Sequence, residues 1–563
     1  MNRSVALRTL VRALFLLGCL CLVAVVHGEQ KPGLLESRGL PRILFNNDSD
    51  DLKWPAYPEH HDAVWVPAGD PLPSHPLQSL EDYLALRIGP LAKSPVTGLS
   101  YCGNFGSPLW QLRRDRIAAL GEDPLQAILG FWKQDGRRFF FSVRMNDKHH
   151  AWFNWAHLWD DFRRTHRQWF LKPPTDEEWQ SEYLPWLEDK TKPGPKEMWA
   201  KPQTPLPLAL RAGPSRERNG EDLLYDYSKA EVRLHYLEVL REACRRYDLD
   251  GVELDWLRYP KFFRDGEVNA AVMTEFVREV RATVDEAARR RGHPVRLVSR
   301  LPDSPARAKE LGLDAGAWLQ AGWLDAVIAG NGFTFSSNEL DQWVTLAHRY
   351  DVPVYGALER MPRGFARYGT PETLRAAAAV LWARGADGLY TFNFYNTAEY
   401  PLLGELADPD QLARLPKEFF LDACSVPNNA TVSQPPLPLA IQANSSARTV
   451  LFITDEPARS KDLRLELAWK GSVDLAAPSI RINGVELKEL KLDRDKTDFT
   501  AVSASRLEQG ESFLTIACNS ASLATLLRRG ANDFVFTSTS AATLTALSLK
   551  ITPEFQKPTS PAK

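Results

Sequence analysis

Excess charge of either sign is what this chain most lacks: 69 Lys and Arg stand against 71 Asp and Glu, a net of −2 over 563 residues. So near a balance leaves no electrostatic footprint for nucleic acid, and none is expected as a partner. Cysteine is scarce as well. Of six, Cys19 and Cys21 fall in the apolar amino-terminal stretch, leaving Cys102, Cys244, Cys424 and Cys518. These are too widely spaced for a zinc knuckle or a redox pair, and three pairings among them stay open. There is no His-Glu-x-x-His, no Gly-rich phosphate loop and no Gly-x-Ser-x-Gly elbow. Zincin, nucleotide-binding and serine-hydrolase chemistry therefore lack their usual carriers, and neither metal nor cofactor is expected. No internal repeat is visible. Beyond the amino terminus no stretch is long and apolar enough to span a membrane.

What is present begins with a leader. Arg3, Arg8 and Arg12 precede an apolar run over residues 13–26, followed by His27-Gly28-Glu29. This order predicts a secretory signal over residues 1–28, cut after Gly28, and a secreted or periplasmic protein with no membrane contact after cleavage. A lipoprotein site at Leu16-Leu17-Gly18-Cys19 is disfavoured, because the apolar run continues past the cysteine. Aromatics are abundant: 17 Trp against 5 Met, many of them between Trp152 and Trp199. Indole faces stack on sugar rings, although a single Trp more often fills a core.

The length predicts at least two folding units. Eight β-type runs alternate with helical ones over residues 42–46, 96–101, 138–146, 251–256, 295–300, 325–331, 352–358 and 388–394. The fold class is α/β: a (β/α)8 TIM barrel over residues 40–424, with a Trp-rich insertion at about 149–222. Helix signals include a capping box at Ser228 and Glu231, Thr370 before Pro371, and stops at Gly292 and Gly385. A linker at 425–438 leads to a small all-β, sandwich-like domain over 439–553. There the alternation at 463–469, a hairpin at Asn483-Gly484 and strands at 534–537 and 547–551 stand out. Residues 554–563 read as a disordered tail. Asn47, Asn429 and Asn444 open Asn-x-Ser/Thr triplets.

The run Asp250-Gly251-Val252-Glu253-Leu254-Asp255-Trp256-Leu257-Arg258-Tyr259-Pro260 carries the chemistry. Alternation puts Glu253 and Asp255 on one face of a strand and Val252 and Leu254 on the other, the pattern of a barrel wall with acids inside. Barrel enzymes work at the carboxyl ends of their strands. Polar residues recur there: Asn46 and Asp48; Arg144, Asn146, Asp147 and His149; Arg300; Asn331; Glu359; Asn393 and Tyr395. Asp255, nearer the mouth, is expected to be the general acid and Glu359, across it, the nucleophile or base. Glu253, one layer deeper, is expected either to transfer protons or to be held structurally by Arg144 and Arg300. Trp152, Trp155, Trp256 and Arg258, with Asp48, Asn146, Asp147, His149, Asn331, Asn393 and Tyr395, are expected to contact a glycan substrate.

The same run resembles the fourth-strand motif of barrel glycosidases. It is similar to glycoside hydrolase family 18 and to the bacterial glycosyl hydrolase-like family 10. In the chitinase pattern a Glu two residues beyond the last Asp donates the proton; here that position is Leu257, which excludes ordinary chitinase chemistry. Asp226-Tyr227-Ser228 and Arg144-Met145-Asn146-Asp147 look like parts of the second group. That resemblance implies an exported bacterial barrel that hydrolyses polysaccharide or oligosaccharide, and it covers the barrel alone. Two rivals stand beside it: a carbohydrate-binding barrel without catalysis, and a metal-dependent hydrolase using Asp48, Asp147 and His149. Sugar, linkage, stereochemistry and oligomeric state are left open.

Overall fold

The computed structural model describes residues 33–48, 84, 88–103, 123–148, 161–188, 220–330, 339–360, 370–394, 397–422, 436–470, 479–488, 491–493, 511–517 and 520–554. Eight parallel strands close on themselves in chain order: β1 (Ile43–Asn47), β2 (Gly98–Cys102), β3 (Arg138–Arg144), β4 (Gly251–Asp255), β5 (Arg296–Leu301), β6 (Ala326–Ala329), β7 (Val354–Glu359) and β8 (Gly388–Phe392). The TIM barrel expected from the sequence is thus observed, each strand overlapping its expected run, with β1, β2, β5 and β7 ending one residue beyond it.

Side-chain alternation divides each strand between two cores. Outward residues such as Phe45, Leu99, Phe141, Val252, Leu254 and Leu297 pack against the helices, and inward ones such as Leu44, Phe140, Val298, Ile328, Tyr355 and Tyr390 fill the barrel. The even strands follow one scheme, reading along their inward positions. Gly98, Gly251, Ala326 and Gly388 come first, then Ser100, Glu253, Ile328 and Tyr390, then Cys102, Asp255, Gly330 and Phe392. The small first set admits large rings from odd strands. A Cβ on Gly251 would lie 2.3 Å from the Phe140 ring, and one on Gly388 2.6 Å from that of Tyr355.

The amino ends of the strands are tied by a repeated device. Asp250, Asp325 and Asp387 each stand one residue before an even strand. Their carboxylates accept the backbone N–H of Phe139 (2.9 Å), Leu297 (2.9 Å) and Val354 (2.8 Å) in the preceding odd strand. Their own N–H groups donate to the carbonyls of the same three residues at 2.9, 2.8 and 2.8 Å. Cations gather round these acids: Arg281 (2.9 Å), Arg296 (3.1 Å) and Arg38 (3.4 Å) surround Asp325. Arg38 ends a short helix, α1 (Leu34–Arg38), and Leu35 and Leu40 join the barrel-interior cluster from below. The segment therefore plugs the amino-terminal end.

Outer helices include α2 (Ala230–Arg246), α3 (Ala270–Arg291), α4 (Ala315–Gln320) and α5 (Pro371–Ala383). Thr370 caps α5 by accepting from Thr373 N–H, and Gly292 closes α3 in the left-handed region at φ 75°. The capping box expected at Ser228 and Glu231 does not form. Helix α2 starts later, behind Lys229 without a side-chain cap, because Ser228 N–H is taken by Asp226 Oδ1 at 2.9 Å.

Beyond the barrel lie two antiparallel sheets. One runs β10 (Leu439–Ile441), β18 (Ala542–Pro553), β12 (Ser460–Lys470), β16 (Glu511–Ala517), β15 (Lys491–Asp493). The other runs β11 (Ser445–Ile453), β17 (Gly530–Ser538), β13 (Ser479–Ile482), β14 (Val485–Glu486). Asn483 (φ 51°) and Gly484 (φ 85°) make the expected hairpin turn between β13 and β14. One boundary moves: β9 (Lys417–Asp422), which the sequence reading left with the barrel, pairs with β18 and extends the first sheet. Its apolar residues Phe419 and Leu421 belong to the core of the β-module. Residues 1–28, the linker up to residue 435 and the tail from residue 555 lie outside the described residues.

Removing Asp325 takes a shared carboxylate from three arginines and the acceptor from one backbone amide. Asp325→Ala is expected to lower unfolding stability by roughly 3 kcal/mol in urea titration. Glu275→Ala, which breaks an exposed pair with Arg278, should leave the midpoint within error. Equal effects of the two changes would contradict the clamping role.

Candidate functional site

The carboxyl ends of the strands hold a nearly closed set of ionisable groups. Glu253, wholly buried, accepts hydrogen bonds from the Ser100 hydroxyl and from the Tyr390 hydroxyl, the latter at 2.8 Å. Burial and then the charge of Asp255 push its carboxyl up to about 7, against the two hydroxyls and Arg300, which act the other way. Up to near neutrality Glu253 thus keeps its proton.

Asp255, 1% exposed, is the acidic partner of Arg300, whose Nη1 lies 3.3 and 3.2 Å from its two oxygens. Its Oδ1 also accepts Leu257 N–H at 3.0 Å, a turn that bends the chain as it leaves β4. Arg300 lies over the Phe392 ring at 3.9 Å and over that of Tyr390 at 5.4 Å. Burial alone would lower its pKa. Asp255, followed by Tyr390, Glu253 and Glu359, outweighs that and raises it. Glu359, at the end of β7 and 2% exposed, accepts the Asn393 amide at 2.8 Å. Asn393 reaches it because the chain leaves β8 in the left-handed region, at φ 62°.

Arg144 differs from expectation. The sequence reading placed it, with Arg300, at the depth of Glu253. Parallel register instead sets Arg144 and Arg300 on either side of Asp255, while Ser142 and Val298 flank Glu253. Arg144 faces Asp48 at 2.5 Å and Asp147 at 3.0 Å, a buried acid–base–acid group joining the ends of β1 and β3. The two acids proposed as metal ligands thus already share a cation. Among the described residues no cluster of His, Cys, Asp and Glu has a metal-holding arrangement.

Two expected sugar contacts are corrected. Asn146 donates to the carbonyls of Tyr225 (3.0 Å) and Lys261 (2.8 Å) and accepts Tyr225 N–H (3.0 Å), so its amide clamps backbone. Trp256 has the opposite parity to Asp255. It packs outward on Phe262 and Trp318, with its indole N–H on the Ser299 hydroxyl at 2.9 Å. Described aromatics of the insertion also serve packing: Phe162 stacks on His235 at 3.6 Å and Trp179 on Tyr183 at 5.6 Å. His149, Trp152, Trp155, Asn331 and Tyr395 lie outside the described residues.

Ser100, Tyr390, Phe392 and the buried Arg360, which pairs with Glu399 at 2.7 Å, had not been singled out from sequence. Parity would have found the first three. Gly98-Leu-Ser-Tyr-Cys102 and Gly388-Leu-Tyr-Thr-Phe392 place Ser100, Tyr390 and Phe392 inward by the alternation that places Glu253.

These elements define the class: a closed parallel (β/α)8 barrel with carboxylates and guanidinia gathered at the carboxyl ends of its strands. No family model matches the chain, and no curated protein does. Among solved structures it is similar to an alpha-galactosidase of glycoside hydrolase family 36 from Geobacillus stearothermophilus, at 11% identity and TM-score 0.36. That match covers 92% of this chain and 56% of the other, so the chain spans little more than half of the galactosidase. It is also similar to an Anoxybacillus alpha-amylase (11% identity, TM-score 0.35, 88% of this chain and 98% of that one). An alpha-amylase from Geobacillus thermoleovorans gives 10% identity and TM-score 0.34 over 92% and 99% of the two chains.

Glu253 also predicts a pH dependence. An unfolded carboxyl releases its proton near 4.5, whereas folded Glu253 holds it to about 7. The folded state therefore binds more protons across that window, and this contribution to stability is complete below about 4.5 and lost as pH rises to about 7. Glu253→Gln, which removes the titrating carboxyl while keeping an acceptor oxygen for one of the two hydroxyls, should flatten the fall in urea midpoint between about pH 5 and 7.5. An unchanged slope would contradict the assignment.

Proposed function

We propose that this chain is an exported glycoside hydrolase of the (β/α)8 class that cleaves a polysaccharide or oligosaccharide at the barrel mouth, with Asp255 and Glu359 as the reacting carboxylates. The observation that carries this reading is that acids from two well-separated strands stand at the same end of the barrel: Asp255 of β4 pairs with Arg300, and Glu359 of β7 lies in register with Phe392, the ring that Arg300 faces. Acid pairs facing each other across a cleft are what glycosidic hydrolysis requires. The apolar segment before Gly28 supports export, and the run from Asp250 to Pro260 supports the likeness to the bacterial family 10-like glycosidases.

The geometry favours a division of labour opposite to the one read from sequence. As the acceptor in a salt bridge, Asp255 has no proton to donate in that pairing; it suits attack on the anomeric carbon or stabilisation of its developing positive charge. That leaves Glu359, at the end of β7, as the group assigned to protonate the leaving oxygen. Glu253 is a positioning residue: through Ser100 and Tyr390 it sets the floor beneath Asp255, and below neutral pH it adds no second charge there. Leu257 cannot stand in for the chitinase acid. It is buried and packs at Gly330, where a Cβ would come within 1.9 Å of its Cδ1.

A non-catalytic glycan-binding barrel is the second reading, favoured by the near-complete enclosure of Asp255. Asp255→Asn and Glu359→Gln separate the two. Under the hydrolase reading the wild type releases reducing sugar from at least one member of a glycan panel, and each variant loses at least about 100-fold in kcat while still binding. Glycan binding without cleavage by any form supports the binder. Cleavage that survives both changes contradicts the proposed acids.

A further inference from the structure

The end of the barrel opposite the mouth gathers arginines. Helix α2 leads into β4 and helix α3 into β5, so both run against the strands and both finish at the amino-terminal end. Arg245 and Arg246 occupy the last turn of α2, and Arg289, Arg290 and Arg291 that of α3. The two turns lie side by side. Arg290 Nη2 donates to the Cys244 carbonyl at 2.6 Å, and Arg291 Nη2 to those of Arg245 and Tyr247 at 3.1 and 2.9 Å. Cations at a helix carboxyl end answer its dipole, and for Arg290 and Arg291 this capping is reason enough to be there. It does not explain the others. Arg245 and Arg289 are exposed, and among the described residues their side chains enter no hydrogen bond and no ion pair.

The nearby acids are mostly engaged. Glu242 pairs with Arg246 at 2.5 Å, Glu238 with Arg241 at 2.8 Å and Asp285 with Arg281 at 2.5 Å, while Asp248 is shared by Lys133 (2.8 Å) and His293 (2.7 Å). Against Arg245, Arg289, Arg290 and Arg291 there remains Glu286, exposed one turn before the end of α3. The same end of the barrel receives the amino-terminal segment: Arg38 of α1 shares Asp325 with Arg281 of α3, and Leu35 and Leu40 plug the interior from below. The described chain begins at Gly33, and the apolar run of the leader ends at residue 26. So short a connection spans at most about 25 Å. A leader seated in a bilayer therefore holds α1 within that distance of it, with the mouth at the far end of the barrel.

We infer that the amino-terminal end of the barrel is a docking surface for an anionic lipid bilayer, whose phosphate headgroups meet Arg245, Arg289, Arg290 and Arg291. A guanidinium takes a phosphate by two parallel hydrogen bonds, and each basic residue brought near an anionic leaflet adds to the attraction. The contact is peripheral, made by side chains at two helix ends. It replaces the expectation of no membrane contact after cleavage, and it turns the mouth away from the lipid. The inference is independent of the chemistry proposed for the mouth.

The test is co-sedimentation of the full chain with two kinds of vesicle, phosphatidylcholine alone and phosphatidylcholine with about one third phosphatidylglycerol, at about 0.05 and 0.5 M salt. Binding should be at least about tenfold tighter to the anionic vesicles at low salt, and the difference should vanish at high salt. The leader contributes to both vesicles alike, so the difference reads the arginines. Arg245→Glu with Arg289→Glu should remove the preference at an unchanged melting temperature, and Arg245→Gln with Arg289→Gln should remove part of it. Arg448→Glu with Arg481→Glu, exposed on the β-module and equal in net charge, should keep it. Equal binding to both vesicles, a preference that survives R245E/R289E, or one lost equally in the β-module pair overturns the inference. If R245E/R289E instead loses binding to polygalacturonate while vesicles are ignored by every form, the surface belongs to an acidic polysaccharide and the lipid assignment falls.

Discussion

The buried pair between Asp255 and Arg300 is the constraint on which the rest of the mouth depends. Both groups are withdrawn from water, and an unpaired charge there would cost several kcal/mol, so each requires the other. Their union fixes the ends of β4 and β5 and sets Arg300 against Phe392 and Tyr390. It also leaves a negative charge close above Glu253. That charge, added to burial, keeps a proton on Glu253, and the protonated acid in turn spares the barrel a second buried anion. Depth along one strand thus turns two carboxyls, two residues apart, into groups of different charge.

The two ends of the barrel use charge differently. At the amino ends, Asp250, Asp325 and Asp387 clamp backbone amides and take basic partners, Lys133 and Arg138 on the first, three arginines on the second and His348 on the third, an arrangement that serves stability. At the carboxyl ends, acids and guanidinia face inward from β1, β3, β4, β5 and β7, with hydroxyls from β2 and β8 beneath them. This is the division expected where one face of a barrel serves stability and the other chemistry.

Much of this was legible beforehand. The eight strands follow from their apolar alternation, and the inward direction of Glu253 and Asp255 follows from parity alone. Parity along β4 also turns Trp256 away from the cleft. Partners were harder to read. Whether Arg300 meets Glu253 or Asp255 depends on register between strands 45 residues apart, which no local pattern encodes. Asn146 lies past the end of β3, where alternation no longer applies, and its three backbone partners come from segments far along the chain. Strand β9 looked like the close of the barrel because it follows directly on the barrel's last helices; only its pairing with β18 assigns it elsewhere.

The most direct measurement is a crystal structure of the Asp255→Asn chain soaked with an oligosaccharide that the wild type cleaves. The account predicts a sugar ring seated between the ends of β4 and β7, with its glycosidic oxygen within hydrogen-bond reach of Glu359. Density showing the mouth closed over Phe392, with saccharide absent or bound on the β-module alone, would contradict it.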